Sequence, residues 1–192
     1  MNYPNGIKKN NTVKDVNYAN RGMSLEEDIN ASNNYYLIHD IAVIHKKPTP
    51  ITVNRVDYKS RCDAVIKDAH YKIPSTNDYN VVYKGKYIDF EAKETQSKTS
   101  FPLSNIHAHQ IKHLESIIRH KGIGFLIVKF SKLNKIFLLK GESLIDFINN
   151  NDRKSIPISY FETYGFELNY KFNPRIDYLK IIDTVYRGDL ND

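Results

Sequence analysis

Tyr87-Ile88-Asp89-Phe90-Glu91-Ala92-Lys93 is the stretch on which the fold turns. Alternate residues of a β-strand face opposite sides. Ile88, Phe90 and Ala92 therefore make one apolar face, as a core requires, while Asp89, Glu91 and Lys93 share the other face with Tyr87. Glu91 and Lys93 sit roughly 7 Å apart along the strand, so their side chains can converge on one point. A carboxylate there can hold a hard cation, and an ammonium beside it can orient a water or balance charge on a phosphate.

One carboxylate is a poor site for a divalent ion, so a partner is expected nearby. Upstream, Tyr79 to Tyr83, then Lys84-Gly85, then Tyr87 to Glu94 reads as a β-hairpin with glycine in its turn. Asp78 opens the first strand of that hairpin, and strand pairing can return it beside Glu91. Thr76 can add a hydroxyl or backbone oxygen. The plain alternative makes Asp78 a turn residue and Glu91–Lys93 a surface ion pair.

Downstream, Ser104 or Asn105 is placed to cap a helix running to His120, with Gly122 ending it. Ile106, Leu114, Ile117 and Ile118 give its apolar stripe, and Gln110 falls on the same inward stripe. A buried amide needs partners. An active-site carboxylate, a metal-bound water or a backbone group would each serve. His109 and His113 stand four apart on this helix, a spacing that suits two metal ligands. With no third ligand evident, exposed and unliganded histidines are expected.

Further out, Ser24 and Glu27 have the spacing of a capping box for a helix to about Tyr36, and Glu26 beside them either approaches the site or helps the cap. Ile41–Ile44 reads as a buried strand ended by Pro48 and Pro50. Ile123–Phe130 and Lys135–Leu139 read as two strands joined by a turn at Ser131–Asn134. A short helix over Glu142–Asn149 and a last strand near Ile176–Ile182 complete the chain. This order predicts an α/β fold, a mixed β-sheet flanked by helices. Residues 1–20 read as a flexible polar arm, 21–185 as the folded domain and 186–192 as a tail.

Ile51, Val53 and Val56 suggest another strand, but the stretch 51–72 as a whole is too poor in apolar residues for a core element of its length. With Arg55, Lys59, Arg61 and Lys67 among tyrosines, it reads either as a basic projection suited to nucleic acid or as a solvated insertion. The whole chain of 192 residues carries a net charge of +6 with 14 Tyr and 9 Phe, and its pI is about 9.2. Excess base favours polyanions, and exposed rings can stack on bases. No apolar run approaches a membrane span. With one cysteine, Cys62, no intramolecular disulfide or cysteine zinc cluster is available, and a reducing cytoplasm is the expected compartment. No glycine-rich phosphate loop is present.

Several stretches together resemble the RecU family of bacterial Holliday junction resolvases. They are Arg21-Gly22-Met23-Ser24-Leu25-Glu26-Glu27-Asp28-Ile29-Asn30, His45-Lys46-Lys47-Pro48-Thr49-Pro50, Pro74-Ser75-Thr76-Asn77-Asp78-Tyr79, Tyr87 to Thr95, Lys98-Thr99-Ser100-Phe101-Pro102-Leu103 and Pro174-Arg175-Ile176-Asp177-Tyr178. The resemblance runs from about Asn20 to Ile182. It implies a restriction-endonuclease-like nuclease of the PD-(D/E)XK superfamily acting as a homodimer, with Mg²⁺ (or Mn²⁺) held by Thr76, Asp78, Glu91 and Gln110, and with Lys93 serving the transition state. Asn77 stands where the superfamily pattern has proline, so the motif's weight rests on Glu91-x-Lys93. Residues 51–72 resemble a stalk reaching the junction crossover, with Arg61 a DNA contact and Lys59, Arg55 and Lys67 as further contacts.

The expected activity is Mg²⁺-dependent resolution of four-way DNA junctions by paired nicks in recombination and repair, in a cytoplasmic, nucleoid-associated setting, with recombinase and branch-migration proteins as candidate partners. Three alternatives differ in cheap observables. A nuclease with another DNA substrate would cut linear duplex as readily as junctions. A non-catalytic junction-binding, recombinase-modulating factor would bind without metal-dependent cutting. A protein unrelated to DNA would show no affinity for it at moderate salt.

Overall fold

A computed structural model describes residues 24–58, 60, 63–72 and 76–188. The expected N-terminal arm, together with Lys59, Arg61, Cys62, Pro74 and Ser75, lies outside the described residues.

Helix α1 (Leu25–Ile38) starts where the sequence places it. Ser24 Oγ accepts the Glu27 amide at 3.3 Å while the Glu27 carboxylate accepts the Ser24 amide at 2.9 Å, satisfying two orphan donors of the first turn. The Leu25 amide donates to the Glu94 carboxylate, which fixes α1 to the strand that carries Glu91. Strand β1 (Val43–Lys46) begins later than the Ile41–Ile44 run predicts. Asp40 is left-handed (φ 53°), and the Ile41 amide is spent closing the helix on Tyr36 O at 2.9 Å.

Strands β2 (Ile51–Asp57) and β3 (Val65–Tyr71) pair antiparallel only with each other, and apart from half-buried Thr52 all their residues are exposed. This hairpin is the projection expected over 51–72. Its second strand escapes a reading by periodicity because both of its faces meet solvent and nothing selects an apolar alternation. At its root the Lys72 amide donates to Pro50 O at 2.9 Å.

Strands β4 (Tyr79–Tyr83) and β5 (Lys86–Thr95) form the expected hairpin. Lys84 (φ 48°) and Gly85 (φ 76°) make its two-residue turn, whose left-handed residues match the twist of the strands. After β6 (Ser100–Pro102), Ser104 and Asn105 lie in a single 3₁₀ turn and do not cap the helix. Helix α2 (Ala108–Arg119) is instead capped at His107, whose amide donates to Gln110 Oε1 at 3.0 Å. At its end the left-handed residue is Lys121 (φ 62°), not Gly122. Gly122 is required by close approach, since a Cβ there would lie 2.7 Å from Ile117 Cγ2.

Strands β7 (Ile123–Phe130) and β8 (Lys135–Lys140) follow, then α3 (Gly141–Asn150), β9 (Ser155–Pro157), α4 (Ile158–Tyr164), β10 (Gly165–Leu168) and α5 (Tyr178–Val185). The last replaces the strand expected near Ile176–Ile182. The Asp177 side chain caps it on the Lys180 amide, and buried Tyr178, Leu179 and Ile182 recur at helical spacing. Tyr186, the first residue of the expected tail, is buried as well.

The six-stranded sheet runs β1-β4-β5-β7-β8-β10, with β5 and β7 parallel and every other pair antiparallel. The α/β fold is thus a mixed sheet with helices on both faces. One core packs Leu25 and Ile29 of α1 and Leu179 and Ile182 of α5 with Ile88, Phe90 and Phe125. The other packs Leu114, Leu144 and Phe161 with Leu126, Val128 and Leu139. Strand β7, covered on both sides, is buried throughout, as a parallel-paired central strand must be. Among the described residues, no helix is long and apolar enough to cross a membrane.

Candidate active site

Register brings the charged groups together. Tyr79 pairs with Phe90, and their rings stack at 4.7 Å and 7° on the core face. One step along, Asp78 meets Glu91 on the opposite face: the Asp78 amide donates to Glu91 Oε2 at 3.0 Å. Lys93 Nζ lies 2.7 Å from Glu91 Oε1, off the line of a hydrogen bond. The contact is ionic, and Oε1 has no partner besides that ammonium. Glu91 is fully buried, whereas the Lys93 side chain is 23% exposed and can meet a ligand.

These surroundings set the charge state of Glu91. Burial is the dominant influence and raises its carboxyl from the ordinary range to about 7; Lys93 opposes the rise, and the neighbouring Asp78 carboxylate adds to it. A folded chain without cation therefore holds a proton on Glu91, between the ordinary carboxylate range and pH about 7, that the unfolded chain has released. Its contribution to stability is complete below the unfolded value and is lost as pH rises through about 7. In EDTA, Glu91→Gln should be nearly neutral near pH 5 and stabilising near pH 8, by about 3 kcal/mol at most. Urea unfolding at the two pH values measures this. Equal stabilities near pH 8 would mean that Lys93 fully offsets the burial.

The donor set fits a hard divalent ion. A buried carboxylate oxygen meets only the Lys93 ammonium, a second carboxylate stands beside it, and a cation would relieve both. Among the described residues no three His, Cys, Asp or Glu side chains converge, so further ligands would be neutral oxygens. Half-buried Thr76, with Asp78, lines a cleft of about 340 Å³. Gln110 is buried on α2, and its Oε1 already accepts the His107 amide, which is the backbone partner allowed for in the sequence.

Glu26 is not the capping residue of α1. Glu27 caps α1, while Glu26 pairs with Lys46 and lines the same cleft as Thr76 and Asp78. The histidines correct the expectation of exposure. His113 is only 21% exposed, with Nε2 at 3.4 Å from Asp89 Oδ1. His109 Nε2 is buried without a partner, its ring stacked on His107 at 5.4 Å. Desolvation first, then His107 and Lys93, lowers the His109 pKa.

Asp89, Lys47 and Asn77 were not singled out from the sequence, yet they adjoin the site. The available signal was parity: Asp89 shares the face of Glu91. Of the expected DNA contacts, Arg55 stands opposite Asp68 on the hairpin, and Lys67 Nζ lies 3.4 Å from Asp57. Lys59 and Arg61 fall outside the described residues.

The family model described as "Recombination protein U" (RecU) matches residues 20–184. The Holliday junction resolvase RecU of Bacillus cereus (strain G9842) is 50% identical over 97% of this chain and 98% of its own length. That of Bacillus cytotoxicus is 51% identical over the same shares. Among solved structures, Archaeoglobus fulgidus Hjc, a Holliday junction resolvase, aligns with a TM-score of 0.43 at 12% identity, covering 74% of this chain and 92% of that one.

Proposed function

Since the chain belongs to the RecU family, we propose that it is an endonuclease that resolves four-way DNA junctions by Mg²⁺-dependent, paired nicks. The observation that carries this reading is the juxtaposition of Asp78, Glu91 and Lys93 on one face of the β4–β5 hairpin.

Asp78 and Glu91 would hold the cation, with Thr76 and Gln110 supplying neutral oxygens. When bound, a divalent ion supplies Lewis-acid polarisation of the phosphodiester and acidifies its water. The chain's own groups do the rest. Lys93, steadied by Glu91, presents its ammonium to the scissile phosphate and stabilises the negative charge that develops as water adds to phosphorus and the bridging oxygen departs. Glu26 and Lys46 form one wall of the cleft and keep a balanced charge beside the acidic pair. The exposed β2–β3 hairpin, with Arg55 and Lys67 and the neighbouring Lys59 and Arg61, serves as the junction-contacting stalk. A two-fold dimer would carry two such sites, matching a junction in which opposed strands are cut.

The test is cleavage of a mobile four-way junction beside a linear duplex of the same sequence, with Mg²⁺ added or withheld, and with Mn²⁺ as a second cation. Symmetric nicks in the junction, dependent on cation, are expected. Cutting of both substrates at equal rates, or binding without any cutting, would overturn the reading.

A further inference from the structure

Two residues before Glu91, Asp89 is fully buried, and the chemistry above makes no use of its charge. A carboxylate taken out of water persists only where donors and opposite charge surround it. Asp89 has both. Its Oδ1 accepts from Asn77 Nδ2 at 2.8 Å, and His113 Nε2 stands 3.4 Å away. Its Oδ2 accepts from Lys47 Nζ at 2.7 Å and from Tyr87 Oη at 2.8 Å.

Two of these partners flank the acid that would hold the cation. Asn77 lies between Thr76 and Asp78 in the chain and is itself buried, its Oδ1 without a donor. Lys47 follows β1 directly, and its own amide donates to Asp78 O at 2.7 Å. Asp89 thus grips the loop before Asp78 through one oxygen and the strand beside it through the other. The Asp78 amide is meanwhile fixed on Glu91.

We propose that Asp89 is a positioning residue: through Asn77 and Lys47 it sets Thr76 and Asp78 against Glu91, and so sets the affinity of the site for a divalent cation. The inference rests on the nuclease reading above. A merely structural Asp89, present to neutralise Lys47, would affect unfolding alone. A positioning Asp89 affects cation binding in the folded protein.

Asp89→Asn keeps the volume but removes the charge paired with Lys47 and sets an amide group among donors, so the grip on Lys47 is weakened. In the full-length chain, Mn²⁺ binding followed by electron paramagnetic resonance should weaken roughly 10- to 100-fold, the range for groups that orient metal ligands. Asn77→Ala should weaken it in the same direction by less. The double variant should weaken it by less than the product of the two single effects, because Asn77 is one of the two contacts through which Asp89 acts. Amide exchange at Asp78 and Lys47 should accelerate in cation-free Asp89→Asn, and junction affinity in EDTA should stay unchanged. Wild-type Mn²⁺ affinity in a folded Asp89→Asn protein overturns the proposal, whatever its melting temperature. If that variant does not fold, wild-type affinity in Asn77→Ala overturns it equally. A wild-type chain that neither binds Mn²⁺ nor cuts junctions would sink the nuclease reading and this inference together; wild-type cutting with unshifted variants sinks the inference alone.

Discussion

Lys93→Ala should cut four-way junctions on the order of 10²–10³-fold more slowly than the wild type, the cost of removing one preorganised charge from a developing oxyanion, while binding them equally well. The ammonium is held 2.7 Å from Glu91 yet keeps part of its surface open, so it is both placed and available. Removing it acts twice. The phosphate loses a stabilising charge, and Glu91 loses the group that opposes the burial-driven rise of its pKa. The second loss is recoverable and the first is not. Saturating Mg²⁺ and higher pH should restore cation binding in the variant but leave single-turnover cleavage slow. Lys93→Arg should rescue little, since a planar guanidinium cannot occupy the place of a compact ammonium. A wild-type rate in Lys93→Ala would remove Lys93 from the chemistry.

The largest loss of stability is expected at Phe90, between Asp89 and Glu91 but on the opposite face. It is fully buried and stacks on Tyr79 at 4.7 Å and Phe125 at 4.8 Å, with Tyr178 tilted against it at 5.2 Å. One ring therefore joins β4, β5, β7 and the first residue of α5. Phe90→Ala should cost about 3–5 kcal/mol, the transfer of the ring plus the cavity left among rigid aromatic neighbours. Against a typical total of about 5–15 kcal/mol, that brings the chain close to unfolding at physiological temperature. Phe90→Leu should cost clearly less. Denaturant titrations of the three proteins in EDTA decide this; a loss under about 1 kcal/mol for the alanine variant would mean that the stack contributes no packing of its own.

Both predictions rest on the strand whose two-residue alternation is legible in the sequence. Strand β5 pays a core on one side and a charge row on the other, and that pattern alone orders Ile88 and Phe90 against Asp89, Glu91 and Lys93. The turn at Lys84-Gly85 and the Ser24–Glu27 cap were readable for a similar reason: each is a local device with its own residue signature. Elsewhere local signals compete with tertiary ones. Ile176 to Ile182 is apolar enough for a strand, and only the Asp177 cap and the helical spacing of Leu179 and Ile182 decide for a helix. The position of the α2 cap depends on the pairing of β6 with β9, some fifty residues on, which no local motif announces. The juxtaposition at the candidate site was legible and its surroundings less so. Asp78, Glu91 and Lys93 follow from hairpin pairing, whereas the grip of Lys47 and Asn77 on Asp89 depends on β1 joining the far side of β4.

Strand β5 cannot drift. A slip of one residue against β4 or β7 would turn Phe90 onto the face of the acidic pair and drive Glu91 and Lys93 into the aromatic stack. Such a frame-shifted sheet could not pack, nor would it bring Asp78 beside Glu91. The same alternation that builds the fold therefore proofreads the candidate site: a molecule that has closed its core has, by that act, already aligned its acids.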